Sequence, residues 1–286
     1  MSNQIVAVDI NIPGIRAAIV DNETRTVVPG TEFFEEIDAD ETLENFLDRW
    51  THVITHVHSM RGIPISKFAI TIPGPFDYEN GISLMHNQKK FESLYQQNVK
   101  NLLAERLGIS PLNIRMDNPA PRLVKAEQMV GAVKGYNNIL GFTLNYGLGS
   151  ARVVDGVSED ANMWNKPFKD GIAEDYIGIG WLIQRYEDFT GIRAKDVAEL
   201  TDLASEDEGI GHLVFNEYGE NFVKFLLQYI GSFNPDALLI GGHNNAWELF
   251  IGHVSDRLGD KDIKIPIVSA ILGPSATLIG AAALWD

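Results

Sequence analysis

Short apolar runs, each stopped by glycine, asparagine or aspartate, alternate along this chain with longer stretches whose apolar positions recur every three or four residues. The short runs have the length of strands and the long stretches the period of helices. Two strands open the chain, Ile5-Val6-Ala7-Val8-Asp9 and Ile15 to Val20, joined by a turn from Ile10 to Gly14 and closing on Asp21-Asn22. Arg25 to Val28 reads as a third antiparallel strand, ended by Pro29-Gly30. The same unit recurs from Ile139, with a turn at Asn145 to Ser150 and a second strand, Ala151 to Val154, closing on Asp155-Gly156. Two similar hairpins, each opening its own series of strands and helices, predict two related α/β lobes.

Between the hairpins, Asp38 with Glu41 three residues on predicts a capping box. Behind it Leu43, Phe46, Leu47, Trp50, Val53, Ile54 and Val57 predict an amphipathic helix from Glu41 to about Met60. Phe68 to Ile72 is a buried strand broken by Pro73-Gly74-Pro75, and a helix around Asn98 to Leu107 stops at Gly108. After a short strand, Asn113 to Met116, Asn118 at the cap and Pro119 at the first helical position start a helix that runs to about Val133. Val157 to Ile172 reads as loop, and Glu174 to nearly Gly231 as helix with breaks near Gly191 and Gly209. A buried strand, Ala237 to Ile240, runs into Gly241-Gly242. A helix, a strand at Ile263 to Val268 and a last helix from Ser275 follow.

The 286 residues suffice for a large core, and the net charge of −16 argues against nucleic acid or an anionic membrane as partner. The absence of cysteine excludes disulfides and any thiolate zinc site. No run reaches the roughly 18 apolar residues of a membrane span, and no signal peptide precedes Ile5, so a soluble cytoplasmic protein is expected. His52 and His56 stand one helical turn apart with Asp48 a turn earlier, a spacing that can chelate a metal. Nothing else in the sequence supports a site there, and a solvated polar face is the better explanation.

The turn at Asn145 to Ser150 carries Gly147 and Gly149, and such a turn can aim backbone N–H groups at a phosphate. Other motifs accompany it in order: Ile72-Pro73-Gly74-Pro75-Phe76-Asp77 with Gly81, Leu239-Ile240-Gly241-Gly242, and Leu272-Gly273 followed by Ala276, Leu278, Ile279, Gly280, Ala281 and Ala282. With Glu174-Asp175-Tyr176, this set resembles the ROK family of sugar kinases and regulators. The resemblance implies a two-lobed, actin-like ATPase (ribonuclease H-like) fold, each lobe a mixed sheet opened by a β-hairpin and flanked by helices. It places one lobe at residues 1–118, with a last helix at about 273–286 packing back on it, and the other at 119–272. It also implies ATP with Mg²⁺, a sugar substrate and a homodimer. Asp9, Gly147, Gly149, Ser150, Gly241 and Gly242 fall on the nucleotide side, and Pro73, Gly74, Asn118 and Glu174 on the sugar side.

Several positions depart from that family's pattern. Ile10-Asn11-Ile12-Pro13-Gly14 stands where active members carry Gly-Gly-Thr, and proline brings no N–H donor. Asn145-Tyr146 replaces the usual Gly-Thr. Counting back from Glu127, Asn118 falls on the family's asparagine and Pro119 on the aspartate that serves as general base. Asp117 lies two residues earlier, roughly 6–7 Å back along an extended chain, whereas a base must sit within about 3 Å of its proton. The zinc element is absent, with Asn162 to Pro167 in its place, so no structural zinc is expected. The reading is a ROK-type homologue that binds a sugar or other small ligand, with little or no kinase activity and no assigned catalytic residue. The alternative is an active ATP-dependent hexose kinase with a relocated base.

Overall fold

The computed structural model describes residues 3–12, 14–62, 66–88, 90–145, 147–206, 209–242 and 246–286. Pro13 and Tyr146, two of the departures above, lie outside the described residues. In chain order the first elements are β1 (Gln4–Ile10), β2 (Gly14–Asp21), β3 (Thr26–Val27), β4 (Phe33–Glu36), α1 (Leu43–Ser59), β5 (Phe68–Thr71), β6 (Phe76–Asp77), β7 (Ile82–Ser83), α2 (Val99–Leu107), β8 (Ile114–Asp117) and α3 (Pro119–Val130). Then come β9 (Asn138–Leu144), β10 (Leu148–Val154), β11 (Val157–Asp160), β12 (Pro167–Phe168), β13 (Gly171–Ile172), α4 (Ala173–Ile177), α5 (Ile179–Thr190), α6 (Val197–Glu206) and α7 (Ile210–Phe233). The chain closes with β14 (Ala237–Gly241), α8 (Trp247–Gly259), β15 (Ile267–Ser269) and α9 (Ser275–Ala282). Met1–Val130 with Pro274–Asp286 forms one compact unit and Gly131–Gly273 the other.

In the first unit the strand order is β3-β2-β1-β5-β8, with β4 also paired to β2. β1 and β2 are antiparallel from Gln4↔Asp21 to Ile10↔Ile15, whereas β5 and β8 add in parallel. The two-residue period of a strand sends alternate side chains to opposite faces, and both faces are covered. Val6, Val8 and Ile10 join the buried stripe of α1 (Phe46, Trp50, Val53 and Val57). Ile5, Ala7, Ala18, Val20 and Ala69 pack instead against Leu278, Ala281 and Ala282 of α9. α9 also lies against α3, so closely that a methyl group on Gly280 would stand 1.7 Å from the Arg122 carbonyl oxygen.

α1 begins two residues later than the pattern suggests. Thr42 is its N-cap, accepting the Asn45 N–H at 3.3 Å. Glu41 instead closes the preceding turn, where its carboxylate accepts the Asp38 N–H at 3.4 Å. A hydroxyl one residue before the apolar stripe thus displaces the expected capping box.

The second unit has the strand order β11-β10-β9-β14-β15, again an antiparallel hairpin extended by parallel strands. Its core gathers Phe142, Phe215, Tyr218, Phe222, Phe225 and Phe250, most of them from the long α7. The stretch expected to be loop holds β11 and the small β12–β13 hairpin. Asp155 (φ 50°) and Gly156 (φ 82°) make the tight turn into β11, since two adjacent positive-φ residues match the twist of a two-residue hairpin.

Candidate functional site

In the first unit, β1 and β5 set the first candidate. Their parallel register places Asp9 beside Thr71, whose hydroxyl donates to Asp9 Oδ1 at 2.7 Å. Burial pushes the Asp9 carboxyl up to about 6, against the opposing pull of that hydrogen bond and of Arg16 across the hairpin.

The chain leaving β5 carries Pro73 and Gly74 past the start of α3. The Ile72 N–H donates to the Asp117 carbonyl at 3.1 Å and the Tyr78 hydroxyl to the Ile72 carbonyl at 3.0 Å. A methyl group on Gly74 would lie 3.1 Å from the Tyr78 hydroxyl and 3.7 Å from Asn118 Nδ2. Gly74 and Asn118 are therefore neighbours. Asn118 caps α3 through its Oδ1, which accepts the Ala120 N–H at 2.9 Å.

Asp117, the last residue of β8, has a partner on each oxygen. Its Oδ1 accepts the Asn118 N–H at 2.8 Å and its Oδ2 lies 2.7 Å from Arg122 Nε. Arg122 is 8% exposed. Burial raises the Asp117 carboxyl and lowers the Arg122 guanidinium, while each charge favours ionisation of the other. Pro119 is the first residue of α3, between the two partners in sequence. Sequence reasoning missed Thr71 and Arg122. The only signal for Arg122 was a charge among the apolar positions of α3, and Thr71 becomes legible only once the β1–β5 register is known.

In the second unit, the turn joining β9 to β10 is tied down on three sides. The Asn145 N–H donates to the Gly147 carbonyl at 3.1 Å, and the Ile179 N–H to the Asn145 carbonyl at 3.1 Å. The Leu148 N–H donates to Glu174 Oε2 at 2.8 Å. A Cβ on Gly147 would come within 2.3 Å of that same carboxylate oxygen. Gly242 (φ +100°) approaches from β14, where a Cβ would meet the Leu144 carbonyl oxygen at 2.5 Å and Asn145 Oδ1 at 2.8 Å. Gly147, Glu174 and Gly242 thus converge on one turn.

Gly149 and Ser150 are placed otherwise. Both lie in the β10 ladder, opposite Thr143 and Phe142. The buried Ser150 hydroxyl accepts the Met163 N–H at 3.0 Å. Gly241 ends β14 opposite Thr143.

On α1, the histidine pair does not gather a third ligand. His52 Nδ1 faces Glu35 at 3.3 Å, the Phe33 ring packs against His56 at 4.6 Å, and Asp48 pairs with Arg106. Among the described residues no group of three or more histidine, cysteine, aspartate or glutamate side chains is placed to hold a metal. Among them, too, no helix is long and apolar enough to cross a membrane.

Two α/β units built on one strand order, each an antiparallel hairpin extended by parallel strands, define the actin-like ATPase fold of ROK sugar kinases and regulators. The chain superposes on a ROK family glucokinase from Streptomyces griseus, solved with glucose and AMPPNP, with a TM-score of 0.80, 19% identity and 98% of each chain covered. In sequence it is 22% identical over 247 residues to a glucokinase of Thermotoga maritima, covering 74% of this chain and 76% of the relative. It is 28% identical over 276 residues to the DNA-binding transcriptional repressor Mlc of Escherichia coli, covering 84% of this chain and 66% of the repressor. No family model matches the chain. In fold the chain is similar to ROK family kinases and regulators, and in sequence to a glucokinase and a repressor.

Proposed function

We propose that this chain is a ROK-type protein that binds a sugar or similar small ligand and transfers phosphate slowly or not at all. The observation that carries this reading is the start of α3. Proline occupies position 119, and the nearest acid in sequence, Asp117, has one oxygen on the Asn118 N–H and the other beside Arg122. Loss of a general base costs about 10²–10⁴ in rate. Phosphoryl transfer further depends on donors and cations aimed at the phosphates, and the glycine turn presents a carboxylate on the Leu148 N–H. That carboxylate competes with a phosphate oxygen for the same amide. A sugar has a donor to use: the Asn118 amide nitrogen lies close to Gly74, on a half-buried side chain. The glucose complex of the Streptomyces relative supports the same ligand class. The charge of −16 speaks against nucleic acid as ligand, although one relative is a DNA-binding repressor.

The glucokinase relatives favour a second reading, an active sugar kinase. A coupled assay with Mg-ATP over a panel of hexoses and acetamido sugars separates the two. Turnover above roughly 1 s⁻¹, within the ordinary enzyme range, overturns the proposal. Thermal unfolding with the same sugars tests binding, because a ligand at 100 times its Kd adds about 2.7 kcal/mol. No shift with any sugar removes the binding reading.

A further inference from the structure

We infer that Tyr78 is a specificity residue of the sugar site: its oxygen meets the ligand as an acceptor and, with the Asn118 amide as donor, selects a hydroxyl. The inference rests on the sugar-binding reading of Gly74 and Asn118 given above. Tyr78 itself stands between Asp77 and Gly81, outside the residues that match the family motif.

The polarity of each group follows from a hydrogen bond it already makes. The Tyr78 hydroxyl has a single hydrogen and donates it to the Ile72 carbonyl at 3.0 Å. Whatever else that oxygen meets, it meets as an acceptor. Asn118 is fixed in the opposite sense. Its Oδ1 takes the Ala120 N–H at 2.9 Å, which turns Nδ2 and its two hydrogens to the other side.

Gly74 brings the two together. A Cβ there would stand 3.1 Å from the Tyr78 oxygen, 3.5 Å from the Phe76 backbone nitrogen and 3.7 Å from Asn118 Nδ2. Outside the adjoining residues, the three atoms nearest that point are all nitrogen or oxygen. One hydroxyl, or two on neighbouring carbons of a sugar ring, can therefore reach both side chains. Gly74, Tyr78 and Asn118 are each half-buried, so each keeps some contact with solvent. The Tyr78 ring also stacks on the buried Phe76 with centroids 5.2 Å apart. The phenol is thus held at its ring and at its hydroxyl.

A hydroxyl answers this pair because it gives a hydrogen to the tyrosine and accepts one from the amide. An ionised carboxylate or phosphate oxygen has no hydrogen to give, and would face the phenol oxygen lone pair to lone pair. The site so built takes a neutral sugar in preference to an acidic or phosphorylated one.

The test is titration calorimetry of the full chain with glucose, mannose and N-acetylglucosamine and with their monodeoxyfluoro analogues, in wild type and Tyr78→Phe. Fluorine replaces a hydroxyl at similar size but donates nothing. In wild type, one fluorinated position should weaken binding about tenfold or more, as expected when a polar group in the site loses its partner. In Tyr78→Phe the parent sugar should weaken by a similar factor, and fluorination at that position should cost no more than about twofold further, because coupled losses do not add. A merely structural role for Tyr78 would weaken parent and analogues alike and leave the wild-type discrimination in place. That result, or equal affinity of wild type and variant for the parent sugar, overturns the role of Tyr78 and leaves the proposed function standing. Should Tyr78→Phe not fold, the fluorinated series on wild type decides, and the absence of any sensitive position overturns the inference. Wild type that binds none of the sugars overturns both.

Discussion

Asp9 titrates in a place where its charge works against the fold, and replacing it with asparagine exposes the effect. The side chain keeps an acceptor for the Thr71 hydroxyl in Asp9→Asn, so the hydrogen bond at 2.7 Å survives and only the charge is lost. Burial raises the wild-type carboxyl from 3.8 to about 6. The folded pKa then lies above the unfolded one. The native state binds the proton more tightly, and the associated stability is complete below pH 3.8 and disappears as pH rises through about 6. A shift of about two units is worth about 3 kcal/mol at 1.36 kcal/mol per unit. Asp9 retains some solvent contact, and screening reduces the figure to about 1.5–3 kcal/mol. Asp9→Asn should therefore match wild type near pH 4 and exceed it by that amount at pH 8. Urea denaturation of both proteins at several pH values measures the gap. A gap that stays constant over the range, or wild type the more stable at pH 8, refutes the argument.

Gly280→Ala sets helix propensity against packing. Propensity alone favours alanine by about 0.5–1 kcal/mol, but the new methyl would lie 1.7 Å from the Arg122 carbonyl oxygen. Overpacking of this kind costs about 1–3 kcal/mol, so the melting temperature should fall by several degrees, and a rise in calorimetry would show that the helices yield freely. Ser150→Ala leaves the Met163 N–H buried without its acceptor and should lower stability by about 1–3 kcal/mol, read by chemical denaturation. Arg122→Ala strands the Asp117 carboxylate. Its cost of about 3 kcal/mol at neutral pH should shrink as acid protonates Asp117, whose carboxyl burial already raises. A loss independent of pH would assign the effect to the arginine stem instead.

What the sequence made legible was local. The two hairpins, the Gly108 stop of α2, and the Asn118-Pro119 start of α3 each depend on a few adjacent residues. β4 escaped because Phe33-Phe34-Glu35-Glu36 does not alternate, and its pairing with β2 is fixed only by the tertiary fold. β11 has a local signal, Asp155-Gly156, but that dipeptide suits the end of a strand as well as a turn into another. In the candidate site, the proline at 119 and the glycines of the turn stood in plain view. The commitments of the acids around them did not. Thr71 reaches Asp9 across 62 positions and Glu174 reaches Leu148 across 26, and neither separation leaves a periodic trace.

The return of α9 to the first unit shapes how this chain must fold during synthesis. One face of the β1–β5 sheet, with Ile5, Ala7, Ala18, Val20 and Ala69, has no cover until Leu278, Ala281 and Ala282 have left the ribosome. All of Gly131–Gly273 is made in between. At about 5–20 residues per second that interval is on the order of ten to thirty seconds. The nascent N-terminal half therefore waits with a bare apolar sheet, a natural client for a chaperone, while the later, uninterrupted half is free to fold first.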